Sequence, residues 1–401
     1  MTLLYNFSGL ILFLIIAWLF SENRKKFPWK FVAFGFFGQF ILLFLLYKFP
    51  IFISFLNNLN SIAQDILDAS KAGAKFIFGN VMDQQKPAFF ITLITNLVFI
   101  SSLIALFYHL RIIPWIILNL SKITMRFLKL SGCEAVAAIS NIFLGMAESN
   151  ILLKNYLNEI PRSALMLLLS VGFATISGAL LIVYSSLGMN ISDLILASII
   201  SIPSAIIYSR ILVPQVETES ISNDINKVHF EKKESFFSVI NASALHGLKM
   251  AFNILALFLV IISFIALVNI FIGKIGNIFD LQISLEKILS FIGYPIALLL
   301  GIPSNEAQKI GELLSTKVVF NEFIAYVKLS ELKSSISSRS FQIATFALCS
   351  FSNLGSVAIQ MASISTLAPD RKNETAQLVL KAMLAGLLAS FSTAILISII
   401  I

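Results

Sequence analysis

Of the chain's 401 residues, 58% are hydrophobic and only 12% charged, and the mean hydropathy is +0.90. Soluble domains carry roughly 25% charged residues, so this composition excludes a water-soluble fold. Its long continuous apolar runs exclude a barrel, whose strands would alternate. The chain therefore reads as an all-α polytopic membrane protein. The net charge of +8 fits membrane topology rather than nucleic acid as a partner.

Crossing the hydrocarbon takes about 20 mainly apolar residues. In chain order the runs that suit are Leu3–Phe20, Phe31–Tyr47, Ala88–Tyr108, Ala164–Leu187, Leu194–Val213, Met250–Ile272, Phe341–Ser363 and Ala376–Ile401, about eight transmembrane helices. The first is no cleaved signal, because its basic cluster (Arg24, Lys25, Lys26, Lys30) follows the apolar run. By the positive-inside rule that loop is cytoplasmic and the N-terminus lies outside. Alternation then puts Arg111, Lys122, Arg126 and Lys129 inside, with Arg371 and Lys372, and the C-terminus outside. Between the second and third runs, Phe55, Leu59, Ile62 and Ile66 recur at helical spacing among polar residues, an amphipathic stripe expected to lie along the outer interface.

Two further segments, Gly132–Asn158 and Pro303–Lys333, are apolar but too broken to span. Each carries a glutamate six positions before a lysine, Glu148 to Lys154 and Glu322 to Lys328. Six steps put the two side chains on different helix faces, so each carboxylate needs some other partner, and the lysines read as interfacial charges at the hairpin ends. Downstream of each lies a span interrupted by small and polar residues: Thr175, Ser177 and Gly178 in the first, Ser352, Asn353, Gly355 and Ser356 in the second. Counting spans, the first segment enters from the cytoplasmic side and the second from outside. That is an inverted repeat with two opposed re-entrant hairpins, the arrangement that places a transporter's site at the membrane midplane. Irregular backbone at that depth must be buried or line a wet cavity, and an intramembrane carboxylate marks a pathway or a ligand site.

The expected division is residues 1–87 as scaffold helices, 88–213 as the first hairpin and broken-helix unit, 214–249 as a cytoplasmic linker and 250–401 as the second unit. Cys133 and Cys349 form no disulfide framework or metal spacing, and His109, His229 and His246 form no H-E-x-x-H pair. No nucleophile elbow, phosphate loop or dinucleotide fingerprint occurs. The chain is thus expected to be no enzyme and to hold no organic cofactor. A gated pore is the contrasting reading, but a pore has no need of two opposed ligand carboxylates.

Through "EAVAAISNIFLGMAE", "GFATISGALLIVYSSLG", "LASIISIPSAIIYSRILVPQ", "TKVVFNEFIAYVKL" and "ALCSFSNLGSVAIQMASISTLAP" the sequence resembles the concentrative nucleoside transporter family over roughly residues 90–395. The resemblance implies a homotrimeric symporter of the plasma membrane (the inner membrane in a Gram-negative cell), importing nucleosides by alternating access. It implies that Glu322, Asn353 and Ser356 bind ribose hydroxyls and that Phe351 and Leu180 pack on the base. Sodium would be held by the side chains of Asn141 and Thr175 and the carbonyls of Leu144 and Ile176, with protons as the alternative coupling ion. The chain departs from the family where the base is read. Met146-Ala147 stands where glutamine and threonine or serine are usual before Glu148, which leaves base preference open, with a modified nucleoside or another ribose-containing solute as the alternative cargo.

Overall fold

The structure, a computed structural model, describes residues 2–83, 89–215, 235–278 and 284–401. Among these residues every regular element is helical. Helices α1 (Thr2–Leu19), α2 (Trp29–Lys48) and α3 (Pro50–Phe78) precede two units of seven helices each. The first unit runs α4 (Phe89–His109), α5 (Ile112–Leu128), α6 (Gly132–Phe143), α7 (Met146–Leu152), α8 (Arg162–Ala174), α9 (Gly178–Ser186) and α10 (Ile191–Leu212). The second runs α11 (Phe236–Ile278), α12 (Leu285–Leu299), α13 (Ser304–Val319), α14 (Glu322–Leu332), α15 (Ser338–Leu348), α16 (Leu354–Leu367) and α17 (Lys372–Ile400). Each unit has one order: long helix, shorter helix, hairpin of two short helices, broken pair, long helix.

Six helical stretches of the described residues are long and apolar enough to cross a membrane: Trp29–Lys48, Phe89–His109, Arg162–Ser186, Ile191–Leu212, Phe236–Lys274 and Pro369–Ile400. The expected count was about eight. One difference is α1, whose apolar part, Leu3–Leu19, is short for a span. The other is the expected span Phe341–Ser363, which is split between α15 and α16 by the irregular residues 349–353, so neither half crosses alone. A seventh candidate is the pair α12 and α13, bent by 118°. The sixth expected span begins earlier than its hydropathy suggested, because α11 is helical from Phe236. Of the expected linker, residues 216–234 lie outside the described residues.

Long-range polar contacts sort the helix ends into two groups. At one end Glu22 pairs with Arg162 and Lys381 at 2.7 and 2.9 Å, and Arg371 donates to the carbonyls of Leu157 and Ile160. At the other end Asn6 donates to Ser398, Arg339 to the Gly301 and Ser398 carbonyls, and Lys333 to the Gly188 carbonyl. This grouping is the one strict alternation of spans demands.

Backbones approach closely where glycine permits it, as small residues do in membrane bundles. A Cβ on Gly293 of α12 would collide with the Gly311 carbonyl oxygen of α13. Polar glue joins the layers elsewhere: buried Gln39 of α2 donates to the Ile200 carbonyl and Ser204 of α10, and Tyr208 of α10 pairs with Ser392 of α17. The α3 stripe is divided. Leu56, Ala63 and Leu67 are buried, whereas Phe55 and Ile62 are exposed. A helix lying in an interface splits its apolar arc between protein and lipid, which moves the packed register off the residues that hydropathy alone selects.

Candidate functional site

The second hairpin turns at Phe320 and Asn321, and Asn321 caps α14 by accepting the Ile324 amide at 2.9 Å. This seats Glu322 in the first helical turn, where unpaired amides and the helix dipole favour a carboxylate. Glu322 is only 5% exposed. Its Oε1 accepts the Tyr184 hydroxyl at 3.0 Å and its Oε2 accepts Asn353 Nδ2 at 2.8 Å. Asn353 in turn caps α16, its Oδ1 accepting the Ser356 amide at 2.8 Å. One asparagine therefore terminates the break and aims a donor at the carboxylate. Tyr184 is fixed between the rings of Phe323 and Tyr326, with centroids 5.3 and 4.5 Å away.

The two helix breaks cross each other. The Phe351 amide donates to the Thr175 carbonyl at 3.3 Å, and the Ser352 hydroxyl donates to the Phe173 carbonyl at 3.0 Å. Helix α17 backs this crossing at Gly386, whose added Cβ would lie 2.6 Å from Phe173 Cβ and 2.7 Å from Ser352 Oγ. Nearby, fully buried Lys317 of α13 donates to the Ala347 carbonyl at 2.6 Å and Ser390 Oγ at 3.0 Å, with Phe391 beneath it at 5.4 Å.

The first hairpin is anchored by Ser131 and Glu134, which form a capping box, and Glu134 also accepts Arg210 of α10 at 2.6 Å. Its turn, Leu144 and Gly145, abuts the first break. A Cβ on Gly178 would lie 3.2 Å from the Phe143 carbonyl oxygen, and one on Gly145 would lie 3.6 Å from Ser177 Cβ. Asn141 donates to the Ala137 carbonyl at 2.8 Å and Ser149 Oγ at 3.0 Å, while its Oδ1 is buried without a partner. An orphan acceptor of this kind usually costs roughly 1–3 kcal/mol and marks a place for a donor or a cation. Thr175 bonds the Val171 carbonyl at 3.0 Å and the Ile176 amide reaches Ser198 at 3.4 Å. Amide, hydroxyl and carbonyl oxygens suit a hard cation. Among the described residues no group of three or more His, Cys, Asp or Glu could hold a metal ion.

The two glutamates do not occupy matching environments. Glu322 opens α14 and is buried; Glu148 is the third residue of α7, and its side chain is 49% exposed and 4.0 Å from His246 Nε2 of α11. Two helical steps turn a side chain by more than half a circle, which accounts for the difference. Met146 and Leu180 are buried, Ala147 and Phe351 partly so. Lys328 joins the limbs of its hairpin by pairing with Glu312 at 2.8 Å, whereas Lys154 is exposed. The structure thus brings Glu322, Asn353, Ser356, Phe351 and Thr175 to one locus, and Asn141 and Leu144 to the adjoining turn.

Comparison with known sequences and structures decides the family. Residues 193–398 match the Na+ dependent nucleoside transporter C-terminus, residues 8–81 its N-terminus, and residues 90–190 the nucleoside recognition Gate domain. The chain belongs to the Na+ dependent nucleoside transporter family. It is a multi-pass transporter and not an enzyme. It is 31% identical to nucleoside permease NupC of Helicobacter pylori across 98% of this chain and 96% of that one, and 31% identical to the uncharacterized transporter YutK of Bacillus subtilis over 98% of both. It is 32% identical to human solute carrier family 28 member 3 but spans only 59% of that longer protein. CNTnw in an inward-facing substrate-bound state superposes with a TM-score of 0.92 at 28% identity, over 100% of this chain and 98% of that one. A CNTnw variant in an outward-facing state superposes equally well, at 0.93. CNTnw is therefore found in both inward-facing and outward-facing states. Sequence reasoning missed Tyr184 and Lys317. Tyr184 lies inside a quoted family motif, yet only the fold brings it to Glu322.

Proposed function

We propose that this protein imports nucleosides across the plasma membrane by symport with sodium. The observation that carries the reading is the buried Glu322 carboxylate, held by Tyr184 and Asn353 at the crossing of two unwound helices. A carboxylate has about four acceptor sites, and two are taken here, so ribose hydroxyls have acceptors left to meet. Asn353 and Ser356 complete the sugar side. The base rests on Phe351 and Leu180, with Met146, Ala147 and Glu148 along its edge. Sodium is held by Asn141, Leu144, Thr175 and Ile176, an assignment supported by the orphan Asn141 oxygen.

The coupling logic follows from adjacency. The turn that would hold the ion packs on the break that touches Phe351, so ordering one orders the other, a positive coupling between the two ligands. Homotrimer assembly, the form implied by the resemblance, fits the broad exposed apolar faces of α3 and α11. Purified protein in proteoliposomes should accumulate labelled uridine, adenosine or inosine when an inward sodium gradient is imposed. A matched potassium gradient should not drive it, and an inward proton gradient that does so would replace sodium with protons. Currents at channel rates in planar bilayers, without saturable uptake, would refute the carrier reading.

A further inference from the structure

Both amide protons of Asn141 are committed, one to the Ala137 carbonyl a turn earlier at 2.8 Å, the other to Ser149 Oγ at 3.0 Å. Its Oδ1 is left buried and without a partner. Ser149 is the fourth residue of α7, on the opposite limb of the hairpin, and is wholly buried. A serine inside a helix often bonds the carbonyl a turn earlier in its own helix. Ser149 instead reaches across the hairpin, accepting from Asn141 and sharing a short hydrogen bond with Ser140 Oγ. The Ser140 hydroxyl donates onward to the Ala137 carbonyl at 3.4 Å. Protons therefore run one way round, from Asn141 to Ser149 to Ser140 to Ala137.

This arrangement acts on Asn141 in two ways. With both N–H groups held, the amide cannot swing about its own bond, and Oδ1 keeps one direction. Hydrogen bonds in sequence also polarise one another, so an amide that gives up both protons carries more negative charge on its oxygen. Both effects suit an oxygen that waits unpaired for a cation. The second unit supplies a contrast. The offset that takes Met146, the first residue of α7, to Glu322, the first of α14, takes Asn141 to Lys317 and Ser149 to Ala325. Where the amide is absent, the hydroxyl that would hold it is absent too.

We propose that Ser149 is a positioning residue for the cation site: it holds and polarises the Asn141 amide, whose oxygen takes the ion. Ser149 has no contact with the ion itself. This rests on the sodium-symport reading above.

The readout is sodium affinity without nucleoside, taken from the melting temperature of the purified protein in detergent as sodium chloride replaces choline chloride. In Ser149→Ala the half-saturating sodium concentration should rise about tenfold, the effect of one ordinary hydrogen bond on an equilibrium. Half-maximal sodium for uridine uptake should rise with it. A merely structural serine would lower the melting temperature at every sodium concentration and leave half-saturation unchanged, which would overturn the proposal. In an Asn141→Ala background, Ser149→Ala should add nothing to the sodium dependence, because its action passes through the amide. A further loss there would overturn the proposal as well. Should Ser149→Ala not fold, Ser149→Cys offers a weaker acceptor of similar size. It should raise half-saturating sodium by a smaller factor, and a wild-type value would overturn the claim. Wild-type protein whose melting and uptake both ignore sodium would sink the symport reading itself, a separate outcome.

Discussion

Replacing Glu322 by glutamine exchanges one carboxylate oxygen for an NH2 group and keeps the volume, so its effect isolates the carboxylate's charge and acceptors. In the native site Tyr184 donates to one carboxylate oxygen at 3.0 Å and Asn353 to the other at 2.8 Å. Asn353 cannot turn its amide over, because its oxygen is committed to the Ser356 amide. The new side chain must therefore offer its oxygen to Asn353 and its NH2 to Tyr184, a neutral arrangement that the protein can adopt. A ligand fares worse. Of two ribose hydroxyls, one would exchange a charged acceptor, worth roughly 1.5–3 kcal/mol, for the neutral amide oxygen, worth about 1 kcal/mol, and the other would meet an NH2 that accepts nothing. The two losses together come to about 3 kcal/mol, roughly a hundredfold in affinity. Glu322→Gln should melt close to wild type, lose saturable uridine uptake under a sodium gradient, and show no binding by calorimetry at wild-type saturating concentrations. Uptake and affinity like wild type would show that Glu322 does not hold the sugar.

Other perturbations read neighbouring parts of the account. Met146→Gln with Ala147→Thr should tighten pyrimidine nucleosides about tenfold or more by calorimetry, since a regained hydrogen bond to a buried polar group carries about 1–3 kcal/mol; unchanged or weaker binding would mean that the base lies elsewhere. Asn141→Ala should raise the sodium concentration for half-maximal uptake without removing nucleoside binding at saturating sodium. Gly386→Val forces atoms against Phe173 and Ser352, an overpacking that costs about 1–3 kcal/mol and should lower the melting temperature. Glu22 lies outside the spans, and its bond to Arg162 holds its carboxyl down from 4.5 to about 2. A depressed carboxyl stabilises above its unfolded value, so that contribution should fade as pH falls from about 4.5 to about 2. The melting temperature of wild type should fall more steeply across that window than that of Glu22→Gln.

The hairpins and breaks were legible because membrane helices have one allowed pattern, and Thr175–Gly178 and Ser352–Ser356 violate it. Glu322 announced itself for the same reason. Its partners did not: Tyr184 is 138 residues away in sequence and Asn353 is 31 away, and local periodicity carries no information about such pairings. Lys317 passed unnoticed, because its burial depends on α15 and α17 closing over it. The near-symmetry of the two glutamates misled in one respect. Both follow a hairpin turn, but the two-residue difference in helical position leaves Glu148 half exposed and Glu322 buried. The span counts differ at α15 and α16, where hydropathy averages across a break that divides one apolar stretch into two helices.

Opposed entry of the two hairpins, with a shared cargo between them, is tested most directly by single cysteines placed beside each turn. Cys133 and Cys349 are both buried and would be replaced first. A cysteine at Gly145 should react with membrane-impermeant reagent only from the cytoplasmic face and one at Asn321 only from outside, both slowing when nucleoside and sodium are present together. Labelling of both from a single face, or of neither with no effect of ligand, would contradict the inverted arrangement and the transport site built upon it.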